Sequence, residues 1–201
     1  MVITQIEWIS KTKAKIYLND AFAFVLLLSE LRELELAEGD EVDDALYAHI
    51  MQDYLLKRAK LKAMQLLNAR DYTEYELRTK LKRDLFPDSL IQQAIAYVAS
   101  YHYIDDERYT RYYLEYHSSG QSRQVLRQKL LGKGIAPELI ERCLEDVELD
   151  EKDTIRQLLT KKYGTRFIDD SAVEKKAIGY LLRRGYTYHD VREVMQDIRY
   201  E

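Results

Sequence analysis

The sequence predicts a mainly helical protein: three tandem three-helix repeats in an elongated array, preceded by a small N-terminal β-hairpin and helix module. Three observations carry this expectation. Only 7 glycines and 2 prolines occur in 201 residues, too few for the turns of a β-sandwich or barrel. Asp, Glu, Lys and Arg make up 33% of the chain and hydrophobic residues 46%, which favours helices with a charged and an apolar face and disfavours disorder. Finally, the chain repeats itself at a period of about 50 residues.

The N-terminal residues read as strands. Lys15-Ile16-Tyr17-Leu18 and Ala21-Phe22-Ala23-Phe24 flank Asn19-Asp20, two residue types that tolerate the positive φ of a tight hairpin. Val2 to Ile9, with β-branched and aromatic residues, supplies a third strand. A helical pattern runs from Leu26 to Leu36 and is broken at Glu38-Gly39-Asp40. Asp43 to Ala69 contains no Gly or Pro and carries apolar residues at Leu46, Ile50, Tyr54, Leu55, Ala59 and Met64. That is one long helix or two stacked end to end.

The remainder is repetitive. A shift of 49 residues pairs Leu77, Leu81, Phe86, Leu90, Ile91, Ile95 and Val98 with Leu126, Leu130, Ile135, Leu139, Ile140, Leu144 and Val147. A further shift of 51 reaches Ala177, Leu181, Tyr186, Asp190, Val191, Met195 and Ile198, of which only Asp190 is polar. The turns superpose too. In two units glycine ends the middle helix, at Lys133-Gly134-Ile135 and Arg184-Gly185-Tyr186, where a left-handed residue closes the helix and the preceding cation meets the negative end of its dipole. The next helix opens with Pro87 or Pro137 in its first turn, or with Thr187 three residues before Asp190 as a capping box. Upstream of each pair lies another helix: Lys57–Ala69, Glu107–His117 and Thr154–Tyr163. The expected division is 1–53 for the N-terminal module, then 54–105, 106–150 and 151–201 for the three repeats.

Charge is uneven. Residues 1–53 sum to -7 and residues 54–201 to +3, within an overall -4. Tyr54–Arg83 holds 9 basic and 3 acidic residues, whereas Glu138–Asp153 holds 2 and 8. The whole chain is therefore not a general DNA-coating protein, which carries a basic pI. Local basic sets remain as candidate contacts for phosphate or an acidic protein: Lys57, Arg58, Lys60 and Lys62 in the first unit, Arg123, Arg127 and Lys133 in the second, Arg183, Arg184 and Arg192 in the third. Stacked units present them at intervals along one surface.

Other chemistry is not signalled. The single cysteine, Cys143, excludes an intramolecular disulfide and a cysteine zinc cluster and fits a reducing compartment. The longest apolar run, Ala21 to Leu28, is far short of a membrane span and no basic segment precedes it, so a cytoplasmic location is expected. His49, His102, His117 and His189 show no metal-ligand spacing, and there is no nucleotide-binding loop or nucleophile elbow. No cofactor and no metal are expected. Asp105-Asp106 reads as a helix cap, echoed by Asp169-Asp170. Tyr109, Tyr112, Tyr113 and Tyr116 fall on one helical stripe, which reads first as core and second as a platform for stacking single-stranded bases.

The stretch Tyr103-Ile104-Asp105-Asp106-Glu107-Arg108-Tyr109, with Tyr112, Gly120, Arg123, Leu126, Leu130, Lys133, Gly134 and Ile135 after it, closely resembles the hallmark segment of the RecX regulatory proteins. Arg58-Ala59 through Arg70, Glu76-Leu77 and Lys80-Leu81 is similar to the family pattern in the first unit, as is Arg183-Arg184-Gly185-Tyr186-Thr187-Tyr188 in the third. The likeness runs from about Tyr54 to the C-terminus, and the first 50 residues resemble the β-containing extension of longer members. One departure is His102, where the family usually has glycine. The resemblance implies a non-enzymatic monomer that lies along the RecA–single-stranded DNA filament, inhibits its ATPase and strand exchange, and limits its growth in recombination and DNA repair. RecA is then the partner, with single-stranded DNA as a direct contact and no membrane. The basic residues expected to contact the filament or DNA are Lys57, Arg58, Lys60, Arg108, Arg111, Arg123, Arg127, Lys133, Arg183 and Arg184. Two readings from other classes stand beside it. One is a helix-turn-helix protein recognising duplex DNA, which the acidic stretch Glu138 to Glu148 disfavours; the other is a protein-interaction scaffold indifferent to DNA.

Overall fold

The computed structural model describes residues 1–118 and 120–200. They divide into two compact units, Met1–Asp105 and Asp106–Glu201.

The first unit opens with an antiparallel sheet in the order β1 (Ile3–Ser10), β2 (Lys13–Leu18), β3 (Ala21–Leu27). Asn19 and Asp20 turn the β2–β3 hairpin at φ of 48° and 66°, the left-handed values such a turn demands. Alternation selects the buried face: Ala14, Ile16 and Leu18 of β2 lie inward, with Ile3 of β1 and Phe24 and Leu26 of β3 alongside. Here the sequence expectation needs correcting. Leu26 pairs with Ala14, so β3 continues to Leu27 and only Leu28–Glu33 (α1) is helical. A continuous apolar run serves a buried strand as well as a helix, and its periodicity does not decide between them.

From Asp44 to Ala69 the chain is helical throughout, as α2 (Asp44–His49), a π-helical segment Ile50–Leu56, and α3 (Lys57–Ala69). The Asp43 carboxylate caps α2 by accepting the Leu46 N–H at 2.7 Å. Burial explains the π turns. Ile50 and Met51 are followed by Leu55 and Leu56, pairs five residues apart that face the sheet. Beyond them Ala59 and Ala63 return to a spacing of four and face the first repeat, while Met64 is exposed. That repeat is α3, α4 (Glu74–Arg83) and α5 (Asp88–Ser100), with Thr73 and Glu76 forming a reciprocal capping box on α4. Pro87 is the N-cap of α5, one residue earlier than expected.

The second unit holds α6 (Asp106–His117), α7 (Arg123–Gly132) and α8 (Pro137–Glu145), then α9 (Glu151–Tyr163), a short α10 (Arg166–Asp169), α11 (Ser171–Leu182) and α12 (Tyr188–Tyr200). The sequence does not foretell α10. Asp170 caps α11 through the N–H groups of Ala172 and Val173, the role expected of the Asp169-Asp170 pair.

One turn recurs three times. The N–H of Phe86 donates to the Leu81 carbonyl at 3.3 Å, Ile135 to Leu130 at 3.2 Å, and Tyr186 to Leu181 at 3.3 Å. The residues before them, Leu85, Gly134 and Gly185, have φ of 62°, 78° and 80° and donate to Lys82, Leu131 and Leu182. These are the paired bonds of a Schellman motif, and Phe86, Ile135 and Tyr186 are buried by it. His102 also takes a positive φ, 56°, with its N–H on Ala99 and that of Tyr103 on Val98. It thus adopts the conformation for which the family's usual glycine is suited.

Within the second unit, the second and third repeats meet at such a turn. The buried Ser122 hydroxyl accepts the Val125 N–H as the α7 N-cap and donates to the Arg184 carbonyl at 2.8 Å. A Cβ on Gly185 would stand 2.6 Å from Ser122 Oγ, whereas one on Gly120, which has a φ of 78°, would meet nothing within 4 Å. Gly185→Ala should therefore destabilise more than Gly120→Ala. Both incur about 1–2 kcal/mol for a left-handed Cβ, and Gly185→Ala adds about 1–3 kcal/mol of overpacking. Urea denaturation of the two variants measures the difference; equal losses would show that the Gly185 turn is not packed on Ser122.

Candidate functional site

The basic residues singled out in the sequence divide by what holds them. Arg58 is an internal tie. Its guanidinium donates to Glu30 at 2.5 Å and to the Val25 carbonyl at 2.6 Å and lies over the Phe86 ring, joining β3 and α1 to the first repeat. Glu30 is itself buried and also accepts the Leu27 N–H, so the pair anchors the sheet's exit. Lys57 pairs with Asp53 at 3.1 Å and Lys62 with Asp84 at 3.4 Å. Arg111 bridges Glu107 and Asp146, and those two carboxylates hold its charge firmly in place. Arg127 pairs with Glu141 at 2.7 Å, and Arg192 with Glu174. Arg123 donates to the Leu144 carbonyl, supporting the end of α8, while its backbone N–H is taken by Glu151. Arg108 is exposed at the start of α6.

A second group rests on tyrosine rings. Lys60 lies over Tyr97, 4.6 Å from the ring centre, and Lys133 over Tyr109 and Tyr113. Arg184 lies over Tyr180 at 4.8 Å. Arg183 is exposed, its guanidinium folded back toward Gly179. A ring positions a cation without cancelling its charge, which a carboxylate does not. The sequence reading missed Lys162, which approaches the same Tyr180 ring to 3.6 Å from α9. Its signal is visible only once α9 and α11 are packed together.

The tyrosine stripe of α6 corrects the core expectation. Tyr112 and Tyr116 are exposed, and Tyr109 and Tyr113 are half-buried and stacked on each other beneath Lys133. Core duty on this helix falls to Thr110 and Leu114. His189, Asp190 and Glu193 do bring ligand atoms within 4.8 Å of one another, contrary to the absence of spacing in sequence, but Lys152 already pairs with Glu193. Cys143 is buried and its thiol is pushed up from its ordinary value by that burial, the state of an inert core cysteine. No helix among the described residues is long and apolar enough to cross a membrane.

Comparison with known proteins assigns the repeats. Residues 59–97 match the first three-helix domain of RecX, residues 105–144 the second, and residues 150–195 the third. The chain belongs to the RecX family. The regulatory protein RecX of Caldanaerobacter subterraneus is 31% identical over 199 residues, covering 97% of this chain and 98% of the relative. That of Clostridium acetobutylicum is 26% identical over 204 residues, covering 98% and 95%. A crystal structure of regulatory protein RecX superposes with a TM-score of 0.66 at 24% identity, covering 98% of both chains, and shows the same fold. A RecX structure from Lactobacillus salivarius gives 0.64 at 20% identity over 73% of this chain and 97% of its own.

The division of cations has a measurable consequence. Arg58→Ala should lower stability by about 1–3 kcal/mol, since it removes the charged donor of the buried Glu30 carboxylate, leaving it the Leu27 N–H, and a donor to the Val25 carbonyl. Arg183→Ala with Arg184→Ala should change it by no more than about 0.5 kcal/mol per site, as exposed substitutions do. Thermal denaturation decides, and a large drop for the Arg183/Arg184 pair would mean that those side chains are structural.

Proposed function

We propose that this chain is a non-enzymatic regulator of the RecA recombinase that binds the RecA–single-stranded DNA filament and restrains its ATPase, strand exchange and growth. The observation that carries the reading is the match to all three RecX domains in order along residues 59–195. The resemblance of the Tyr103–Ile135 segment to the RecX hallmark supports it. So does the disposition of charge: Lys60, Arg183 and Arg184 have no carboxylate partner among the described residues and remain available to an anionic filament. Of the ten cations expected to bind, these three are retained as contacts on that ground. The duplex-recognition alternative is disfavoured on the same grounds. Helix α8 presents Glu138, Glu141 and Glu145, while its own Arg142 is tied to Glu107 and Arg127 of α7 to Glu141. The protein acts in the cytoplasm as a monomer on this reading.

Titrating the purified protein into RecA on single-stranded DNA should slow ATP hydrolysis at or below stoichiometric amounts, while the protein alone hydrolyses none. Unchanged RecA turnover over a wide titration would overturn the assignment and leave the fold standing.

A further inference from the structure

We infer that the first unit carries a docking groove for an acidic peptide segment of a partner protein, one that sets an apolar side chain into the pocket lined by Leu61 and Phe86 with carboxylates on either side of it. The inference is independent of the regulatory reading and uses none of the cations that reading retains.

The groove forms where the sheet, α3 and the end of α4 meet. Arg58, Leu61, Lys62 and Gln65 stand at i, i+3, i+4 and i+7 along α3, one stripe of that helix, whereas Lys60 turns to Tyr97 on another. Two pockets of about 210 Å³ each open along this stripe. Lys62 and Asp84 line both, so the pockets adjoin, and together they run from Lys13 of β2 to Lys80 and Arg83 of α4. The Lys62–Asp84 ion pair, at 3.4 Å, lies where they meet. Val25, Leu61 and Phe86 line the first pocket, and Leu61 is 59% exposed although it is apolar. Half-buried Leu66 lines the second.

Charge identifies the occupant. Five cations and one carboxylate line the two pockets. Glu30 cancels Arg58 and Asp84 cancels Lys62, which leaves Lys13, Lys80 and Arg83 with no carboxylate partner among the described residues. Those three stand at the two ends of the groove, with the apolar lining between them. Cations in a last helical turn also meet the helix dipole, but Lys82 of the same turn pairs with Asp88 and lines neither pocket. The complement to this arrangement is a chain with acidic groups on both sides of an apolar residue. Covering Leu61 and filling the pocket beside it supplies the apolar part of the binding. A single-stranded nucleic acid fits less well, because its unbroken row of phosphates would pass the Asp84 carboxylate, where a peptide can place an uncharged residue.

The test uses the full-length protein, without RecA, and a fluorescein-labelled peptide with three aspartates on each side of a phenylalanine, read by fluorescence anisotropy over a range of salt. Wild type should bind it, more weakly as salt rises. A peptide with alanine in place of the phenylalanine should bind about tenfold more weakly or worse, the worth of one buried apolar side chain. Leu61→Glu, which puts a carboxylate at the pocket, should weaken binding of the phenylalanine peptide by a similar factor. Lys80→Ala with Arg83→Ala should weaken it several-fold and lessen its salt dependence. Lys82→Ala should bind as wild type, and thermal melting confirms that each variant is folded. Failure of wild type to bind the peptide, or full affinity in either of the folded groove variants, would overturn the inference. Equal binding of the two peptides would overturn it as well, by reducing the groove to an unselective basic surface. Displacement of the labelled peptide by oligothymidylate at a lower concentration than by unlabelled peptide would overturn it in favour of a nucleic-acid contact. Selective peptide binding by a protein without any effect on RecA would uphold the groove and overturn only the regulatory reading.

Discussion

The left-handed turn after the middle helix of each repeat is the constraint on which the rest of the structure depends. At residues 85, 134 and 185 the chain reverses with the same two backbone hydrogen bonds, and the next residue is driven into the core. That residue, Phe86, Ile135 or Tyr186, closes the space above Leu77 and Leu81, Leu126 and Leu130, or Ala177 and Leu181. A helix-ending turn satisfies carbonyls that would otherwise be orphaned, so its position also sets where the last helix of each repeat begins. The third copy has an added duty. Its Arg184 carbonyl receives the Ser122 hydroxyl, and the absence of a side chain at Gly185 lets the two repeats approach. The same turn delivers the Arg183 and Arg184 side chains to the surface, so the element that ends the helix also presents its charge.

The chain uses its cations in two ways, and the partner decides which. Where a carboxylate is in reach, as Glu30 is for Arg58 or Glu107 and Asp146 for Arg111, the cation becomes part of the scaffold. Where tyrosine is the neighbour, the cation is held but keeps its field. Two of the 17 tyrosines gain a physical role from this: Tyr97 seats Lys60, and Tyr180 seats Lys162 and Arg184. An acidic protein of net charge -4 can then offer a polyanion a local positive surface without being basic overall.

Much of the fold was legible because the repeat superposes buried positions. Leu77, Leu81, Leu126, Leu130, Ala177 and Leu181 are all fully buried, as their shared register requires. The hairpin was equally plain from Asn19-Asp20. What escaped has specific causes. Leu85 occupies a left-handed position without being glycine, so the first turn carries no compositional mark. The π-helical segment buries pairs five apart, a period outside the usual helical template. Helix α10 is inserted before α11, so the 51-residue shift that aligns the later helices does not bring the α11 cap Asp170 onto Ser122. The site was read less well. Arg58 and Arg127 look like surface charge until Glu30 and Glu141 are brought beside them, and Lys162 stands apart in sequence from the ring that seats it. Pairing and convergence are tertiary facts, and sequence spacing along one helix does not contain them.

Hydrogen exchange of the protein bound to the RecA–single-stranded DNA filament tests the central claim, that the uncancelled cations of the third repeat face the polyanion, most directly. Protection gained at the end of α11 and in the turn through Gly185, together with the last turn of α9, is the result this arrangement requires. Protection gained along α8, with residues 176–185 exchanging as in the free protein, would contradict it.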